Sequence, residues 1–335
     1  MTFGATILDA DGLRLSVDEI AFFKDADPFG FILFARNIDS ADQVRALCDD
    51  MRSAVGRDAM ITIDQEGGRV QRLRPPLARE WAPPLDFVQH ARENAAKAMY
   101  LRYRIIAHEL RSLGIDSNGA PMVDVANDNT HAFLLDRSYG MDADAVGKIG
   151  RAVAQGLLDG GVLPVVKHMP GHGAATVDSH YELPRVAAEP AILHDRDFAP
   201  FQALNDLPLG MTGHLVFEAI DDAPSTLSTK VMKTIRDVIG FDGLIMTDDI
   251  SMKALSGTPP QIARDALSAG CDVVLYCNAA LSDRIAVADA AGQMTPEAQR
   301  RADAALTFRK TPDALDIAAL DADLAALMGS AGNGG

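Results

Sequence analysis

Residues 142–168 read DADAVGKIGRAVAQGLLDGGVLPVVKH, and this stretch contains one complete helix-to-strand unit. Asp142 or Asp144 can cap a helix whose apolar residues then recur every three or four positions up to Leu157. The glycine pair at 160–161 ends this helix. The apolar run Leu163–Lys167 follows without polar alternation, which is typical of a parallel strand that is covered on both faces. The stretch therefore predicts an α/β protein with buried parallel strands.

Similar apolar runs recur along the chain and are separated by helical patterns, such as those after Ser40 and from about Asn94 to Leu113. The predicted strands are Ala5–Leu8, Phe29–Phe34, Ala59–Ile63, Ala120–Val125, Leu163–Lys167, Leu209–Thr212, Gly243–Thr247 and Asp272–Tyr276. Eight such strands, each followed by helical or long-loop material, favour an α/β protein with the (β/α)8 TIM-barrel fold in a single domain. A doubly wound open sheet is the alternative, but the first turn, LDADGLRLSVDE (8–19), is not a Gly-rich phosphate-binding loop.

The outer limits of the domain and its long loops also follow from local composition. We expect one catalytic domain over residues 1–327 and a disordered tail at 328–335, because the tail is rich in Gly and Ser. Two predicted loops are unusually long. They are Pro75–Pro84, with four prolines and the sole tryptophan Trp81, and Met169–Pro184.

The composition argues against several classes of function. The chain has 31 Lys and Arg against 47 Asp and Glu, a net charge of −16, so we expect it to repel nucleic acids. No apolar run approaches the roughly 18 residues of a membrane-spanning helix, and MTFGATILDADG does not resemble a secretory signal. Three cysteines are few and odd in number, which suits a reducing compartment. We therefore expect a cytoplasmic protein that binds neither membrane nor nucleic acid.

Polar and charged residues collect where the predicted strands end, which is the face that carries the active site in a (β/α)8 barrel. Each of them alone could have a structural role, such as a helix cap or a surface ion pair. Their convergence on one end of one barrel instead favours a functional site. The candidates are Asp64, Arg72, Asp124, Arg137, Lys167, His168, His172, Asp178, His180, His214, Asp248 and Asp249.

A zinc centre is one interpretation of this set, since imidazole and carboxylate groups ligate zinc. The possible ligands are His168, His172, His180, His214 and Asp248. However, Pro170 and Gly171 interrupt the spacing between His168 and His172, so these two rings cannot share a regular helix face. The adjacent Lys167 would also repel a divalent cation. We therefore expect no metal and no cofactor.

Carbohydrate chemistry accounts for the set better. Glycoside hydrolysis needs a proton donor for the leaving oxygen and a carboxylate facing the anomeric carbon. Asp248, at a strand end, fits the carboxylate, and His180 fits the donor because imidazole titrates near neutral pH. Asp178 could bond the other ring nitrogen of His180 and set its tautomer. Charge-assisted hydrogen bonds to sugar hydroxyls and an amide carbonyl would then come from Asp64, Arg72, Arg137, Lys167 and His168.

The sequence resembles the β-N-acetylhexosaminidases of glycoside hydrolase family 3, and within them the bacterial enzymes of peptidoglycan recycling. The resemblance rests on KHMPGHGAATVDSHYELP (167–184), ITIDQEGGRVQRL (61–73), DRSYG (136–140) and FDGLIMTDDISM (241–252). It is traceable from about residue 5 to 278 and so covers most of the chain. The KH-x-PGHG…DSH run together with DQEGGR is highly specific for this family.

The resemblance implies a TIM barrel in which Asp248 is the nucleophile, a choice over Asp249 that strand alternation alone cannot make. His180 matches the acid/base and Asp178 its partner. Positions that bind the N-acetylglucosamine ring are matched by Asp64, Arg72, Arg137, Lys167 and His168, to which we add His214 as a further sugar-binding candidate.

The implied reaction is the removal of terminal β-linked N-acetylglucosamine from muropeptides (GlcNAc-1,6-anhydroMurNAc and its peptides), with retention through a covalent glycosyl-enzyme. The acceptor is water or phosphate, and we expect a monomer. A β-glucosidase or β-xylosidase of the same family is the alternative. The sequence departs from the family pattern at Leu135-Asp136, before Arg137, where Gly-Glu is expected. Met294–Gly335 carries no motif, and we expect only a packing helix there.

Overall fold

The computed structural model describes residues 2–179, 181–312 and 314–330. Within these ranges, one sheet of eight parallel strands runs in chain order from β1 to β7, and β8 pairs with β1. The strands are β1 (Gly4–Leu8), β2 (Pro28–Leu33), β3 (Met60–Ile63), β4 (Ser117–Asn118), β5 (Leu163–Met169), β6 (Leu209–Thr212), β7 (Leu244–Met246) and β8 (Val274–Tyr276).

The sheet closes on itself between β7 and β8. Met246 and Val273 form a single bridge there, and the Asp272 amide donates to the carbonyl of Ile245 (2.8 Å). A closed ring of eight parallel strands with helices between them is the TIM-barrel architecture, which confirms the fold predicted from the sequence.

The longer helices lie on the outside of the ring and connect successive strands. They are Val17–Ala26, Ala41–Val55, Pro84–Ala91, Ala95–Ser112, Ala143–Asp159, Pro259–Ala269 and Leu281–Ala291, followed by Pro296–Leu306 and Ile317–Ser330. Shorter helical turns replace a single long helix after β5 and β6: Pro190–Ile192, Leu193–Phe198, Ala199–Gln202, Thr229–Lys233 and Thr234–Ile239.

The predicted helix ends agree with the observed caps. Ser40 accepts a hydrogen bond from the Gln43 amide at the start of Ala41–Val55. Asp142, rather than Asp144, accepts from the Ala145 amide (2.8 Å) and begins Ala143–Asp159. Local capping chemistry was therefore sufficient to place these boundaries.

The fourth strand differs from its prediction. The paired strand is Ser117–Asn118, whereas the sequence suggested Ala120–Val125. Residues 120–123 still run beside β5, where the Val123 amide donates to the carbonyl of Lys167 (2.9 Å). Pro121 has no amide proton, so a regular ladder cannot pass through this apolar segment.

Alternate side chains of the strands pack on opposite faces of the barrel wall. Ile7, Val165 and Met246 belong to one buried cluster, which fills the interior, while their neighbours pack against the surrounding helices. Ala298 and Ala302 of Pro296–Leu306 join the interior cluster. The Phe3 amide bonds Gln299 of this helix, which therefore covers the end of the barrel where the strands begin.

The C-terminal helix Ile317–Ser330 includes residues 328–330, the first three of the expected tail. The remaining tail residues, 331–335, lie outside the described residues. Over the described part of the chain, the helices are too short or too polar to cross a membrane.

Candidate active site

A cavity of about 460 Å³ opens at the carboxyl ends of the strands, within the range of about 300–1,000 Å³ usual for small-molecule sites. Six of the predicted site residues line it together: Asp64, Arg72, Arg137, Lys167, His168 and Asp248. Other lining residues include Phe34, Arg69, Phe133, His172, Ser179, Asp249, Lys253 and Asn278. Residues that lie on or follow seven of the eight strands thus share one concave site.

Asp64 lies between two cations on the cavity wall. Its Oδ1 accepts from Lys167 Nζ (3.1 Å) and its Oδ2 accepts from Arg72 Nη2 (3.0 Å). Burial opposes ionisation, but the charges of Lys167 and Arg72 outweigh it and hold the pKa of Asp64 well below its usual range. Asp64 and Arg72 keep 20% and 28% of their side chains exposed, so both can contact a ligand.

Glu66 is a second carboxylate that organises the site. It receives both Nε (2.9 Å) and Nη2 (2.8 Å) of Arg137, and its Oε1 also lies 2.8 Å from Lys167 Nζ. Only 2% of its side chain is exposed. Glu66 belongs to the DQEGGR motif, but the sequence alone assigned it no role. Its position shortly after a strand end and between two predicted site residues, Asp64 and Arg72, was the available signal.

Glu66 forms a buried ion network with Arg137 and Lys167, and each of these three charges depends on the other two. Burial alone would raise the pKa of Glu66, but Arg137 and Lys167 outweigh it and lower that pKa to about 2. In turn Glu66 raises the pKa of Arg137 above its ordinary value, against the effect of burial. Each charge therefore keeps its neighbour ionised in a place where water is excluded.

We expect Glu66→Gln to lower the free energy of unfolding by about 3–5 kcal/mol at pH 7, because it leaves Arg137 and Lys167 without their shared counter-charge. Since the folded pKa is depressed from 4.5 to about 2, the stabilisation is complete above pH 4.5 and is lost as the pH falls through about 2. Urea unfolding of both proteins from pH 7 to pH 2.5 measures this. A stability difference that is independent of pH over that range would contradict the argument.

His168 is oriented by a buried carboxylate. Its Nδ1 lies 2.7 Å from Asp124 Oδ2, and its own amide and that of His172 donate to Asp124 Oδ1 (3.2 and 2.7 Å). His172 lines the cavity too, and burial lowers its pKa to about 4, so its ring is neutral at pH 7. Asp124 therefore fixes the orientation of the His168 ring at the cavity wall, as a carboxylate partner commonly does for histidine.

The two aspartates after β7 differ in their surroundings. The Asp249 carboxylate accepts from the amides of Ser251 (2.9 Å) and Cys277 (3.3 Å), and burial raises its pKa to about 6. Asp248 Oδ1 accepts from the Asp249 amide (2.8 Å). Burial would raise the pKa of Asp248, but the nearby His168 and His214 outweigh it and lower that pKa. Asp248 is thus a carboxylate at the cavity wall that is ionised at neutral pH.

His214 differs from its expected role in direct sugar binding. Its side chain is fully buried, with Nδ1 2.8 Å from Thr226 Oγ1 and Nε2 3.1 Å from the carbonyl of Asp249. Both ring nitrogens are therefore engaged by protein groups. The residue supports the segment after β7 instead of presenting a hydrogen-bonding group to a ligand.

The predicted acid/base dyad falls on the loop after β5. His180 lies outside the described residues. Asp178 is half-buried, and its carbonyl accepts from the amides of Tyr181 (3.0 Å) and Glu182 (3.1 Å). Ser179, between the two members of the dyad, lines the cavity. The described part of this loop therefore reaches the cavity at Ser179.

The loop that departs from the family pattern forms part of the rim. Asp136 pairs with Arg69 (3.3 Å), and the guanidinium of Arg69 lies 4.4 Å from the ring centre of Phe133. Arg69 also donates to the carbonyl of Phe133. Asp136 thus anchors a cavity-lining arginine, which gives this departure from the family a local structural role.

The described residues do not bring together three or more His, Cys, Asp or Glu side chains in an arrangement that could hold a metal ion. Asp124 engages Nδ1 of His168, and protein groups take up both ring nitrogens of His214. The ligand set considered from the sequence is therefore not assembled by its described members.

Comparisons with known proteins show the family of the chain. A family model described as the glycosyl hydrolase family 3 N terminal domain matches residues 13–307. The Beta-hexosaminidase of Alkalilimnicola ehrlichii is 36% identical over 286 residues, which are 83% of this chain and 82% of that protein.

Two solved structures resemble this chain over almost its whole length. Native NagZ from Neisseria gonorrhoeae has a TM-score of 0.84 and 28% identity, covering 99% of this chain and 98% of that one. The same protein in complex with N-trifluoroacetyl-D-glucosamine has a TM-score of 0.80 and 27% identity, covering 98% and 99%. On the family match and the curated relative together, the chain belongs to glycosyl hydrolase family 3, where it groups with the β-N-acetylhexosaminidases.

Proposed function

We propose that this glycoside hydrolase removes terminal β-linked N-acetylglucosamine from peptidoglycan fragments, namely GlcNAc-1,6-anhydroMurNAc and its peptides, during cell-wall recycling. Two similarities support the sugar. The curated relative is a Beta-hexosaminidase, and a structural neighbour was solved with N-trifluoroacetyl-D-glucosamine. The fragment itself is inferred from the resemblance of the 167–184 segment to the recycling enzymes.

The observation that carries the proposal is the shared cavity of Asp248 and the charged sugar-binding set. Asp64, Arg72 and Lys167 present a connected array of donors and acceptors on its wall. These groups are held by one another before any ligand arrives. Little side-chain entropy is therefore lost when a sugar binds, and the anomeric carbon can be placed against a fixed carboxylate.

In the proposed first step, the Asp248 carboxylate attacks the anomeric carbon while His180, protonated, donates its proton to the glycosidic oxygen. The bond from that carbon to the leaving oxygen breaks, and an ester bond to Asp248 forms. The lowered pKa of Asp248 keeps this nucleophile ionised at neutral pH. The carboxylate of Asp249 is engaged by two backbone amides, and this difference supports Asp248 as the residue that attacks.

In the second step, neutral His180 takes a proton from water, which attacks the same carbon and breaks the ester. The sugar leaves with its configuration retained, and Asp248 returns to a carboxylate. Phosphate as acceptor would give a sugar phosphate instead, so analysis of the released sugar by mass spectrometry distinguishes the two acceptors.

We expect the protein to hydrolyse an aryl β-N-acetylglucosaminide at least about a hundredfold faster, in kcat/KM, than the matching aryl β-glucoside. A site built to hydrogen-bond an amide leaves buried polar groups unpaired when that amide is missing. Both assays are run with and without EDTA. Equal rates on the two substrates would replace the proposal with a β-glucosidase, and loss of activity in EDTA would replace it with a metal-dependent hydrolase.

The fragment is tested separately with GlcNAc-1,6-anhydroMurNAc, with and without its peptide. Release of N-acetylglucosamine from these compounds supports the recycling role. Hydrolysis of the aryl substrate alone would limit the proposal to the sugar. The monomeric state, the cytoplasmic location and the independence of a cofactor stay predictions.

A further inference from the structure

Arg102 is a fully buried arginine directly behind the sugar-binding groups. It lies on the helix Ala95–Ser112, and none of its side chain is exposed. Its Nη2 donates to the carbonyl of Glu66 (2.5 Å) and to the carbonyl of Ala82 (3.0 Å). One guanidinium nitrogen thus joins the segment that carries Glu66 to the end of the proline-rich loop.

The guanidinium of Arg102 has an unusual environment for a buried charge. Its Nε and Nη1 have no hydrogen-bond partner, and it makes no ion pair with a carboxylate among the described residues. Its central carbon instead lies 4.7 Å from the ring centre of Phe87 and 5.2 Å from that of Trp81. Burial lowers its pKa. Such a placement is costly, so the two carbonyl contacts and the aromatic faces must offset the cost.

The chain approaches Arg102 so closely that position 67 must be glycine. A Cβ there would lie 1.9 Å from Nη2 of Arg102 and 2.8 Å from the carbonyl oxygen of Ala82. Gly67 also has φ +112°, in the region that favours glycine. Arg102 therefore contacts the backbone of the short strand Gln65–Gly67 itself, and its effect reaches Glu66 through the main chain.

The proline-rich loop is fastened to the same segment. The Gly68 amide donates to the carbonyl of Trp81 (2.8 Å), and the Trp81 amide donates to Gln71 Oε1 (3.2 Å). Together with the Arg102 contact at Ala82, these bonds make the loop and the 65–71 hairpin one connected unit.

We propose that Arg102 is a positioning residue for sugar binding. By fixing the Glu66 carbonyl, it sets the position of the Glu66 carboxylate, which in turn orients Arg137 and Lys167. The inference rests on the proposed function, since it takes Arg137 and Lys167 to be groups that bind N-acetylglucosamine. It also gives the loop at 75–84 a role, which is to support the hairpin from behind.

The test compares Arg102→Lys and Arg102→Met with Arg104→Lys as the matched control. Arg104 is buried on the same helix, but its Nη1 lies near Gly160, at the end of the neighbouring helix Ala143–Asp159. For each protein we would measure kcat and KM on an aryl β-N-acetylglucosaminide, the calorimetric Kd of N-acetylglucosamine, and the melting temperature.

We expect Arg102→Met to raise KM and Kd about tenfold or more, the size of effect that follows loss of a charged hydrogen bond, with a smaller change in kcat. Arg102→Lys should recover part of the loss because its ammonium can still donate to one carbonyl. Arg104→Lys should lower the melting temperature and leave KM and Kd unchanged. If Arg102→Met does not fold, the KM and Kd of Arg102→Lys decide the test.

The inference is overturned if the Arg102 variants lower only the melting temperature, or only kcat, with KM and Kd at the wild-type values. A wild-type protein that does not hydrolyse the aryl substrate would contradict the proposed function instead. In that case the calorimetric Kd values still test whether Arg102 positions the sugar-binding groups.

Discussion

Replacing Asp248 with alanine is expected to lower kcat for an aryl β-N-acetylglucosaminide by roughly four orders of magnitude or more, the scale seen when a covalent nucleophile is removed. The variant cannot form the glycosyl-ester, and the other carboxylates among the described cavity-lining residues are already engaged: Asp64 is bound by Lys167 and Arg72, and Asp249 by two amides. Steady-state kinetics on the purified variant measures the loss. Asp265→Asn, an exposed change on Pro259–Ala269, is the control and should behave as wild type.

The covalent step has its own test. A fluorinated glycosyl substrate that slows breakdown of the intermediate should leave its mass on the peptide that contains Asp248, and tandem mass spectrometry separates this residue from Asp249. An adduct on Asp249 would reassign the nucleophile. Absence of any adduct, with tight binding of a thiazoline inhibitor, would show that the acetamido group of the substrate attacks instead.

The second large effect is expected for His180→Ala, and it should depend on the leaving group. We expect kcat/KM to fall by about 10²–10⁴ for a substrate with a poor leaving group, because general acid catalysis contributes on that scale. An activated aryl glycoside departs without a proton, so its kcat/KM should change far less. The measurement is a plot of log kcat/KM against leaving-group pKa, which should be steeper for the variant.

A neighbouring change on the same loop controls for loop damage. Tyr181 is 73% exposed, so Tyr181→Phe should keep the wild-type slope in that plot. Equal losses of His180→Ala on good and poor leaving groups would remove His180 from the role of acid. A steeper plot for Asp178→Asn as well would support Asp178 as the partner of that imidazole.

Most of the fold could be predicted because the deciding signals are local. Seven of the predicted strands overlap the observed ones, since a parallel strand that is covered on both faces must be apolar throughout. The fourth was misplaced by a longer apolar run, 120–125, although the paired residues are Ser117–Asn118. Ser117 and Asn118 are polar and short, and only their bonds to β3 and β5 identify them as a strand.

The candidate site was predicted less evenly. Asp64, Lys167 and Asp248 were identified because they lie at the ends of predicted strands, and a barrel brings all its strand ends to one face. The sequence pattern could not show that the two ring nitrogens of His214 contact the Thr226 hydroxyl and the carbonyl of Asp249. Whether a buried histidine faces a ligand or the protein is decided by neighbours that are distant along the chain.

The amino-acid sequence by itself determined the order of strands and helices, their caps and the set of residues at the strand ends, because these depend on neighbours a few positions away. Only the tertiary structure decided the partners of the buried charges. Glu66 with Arg137 and Lys167, Asp124 with His168, and Arg102 against a backbone carbonyl are contacts between separate strands, loops and helices. The electrostatic energy of a buried charge depends on the distance to its counter-charge and on the exclusion of water, and closure of the barrel sets both.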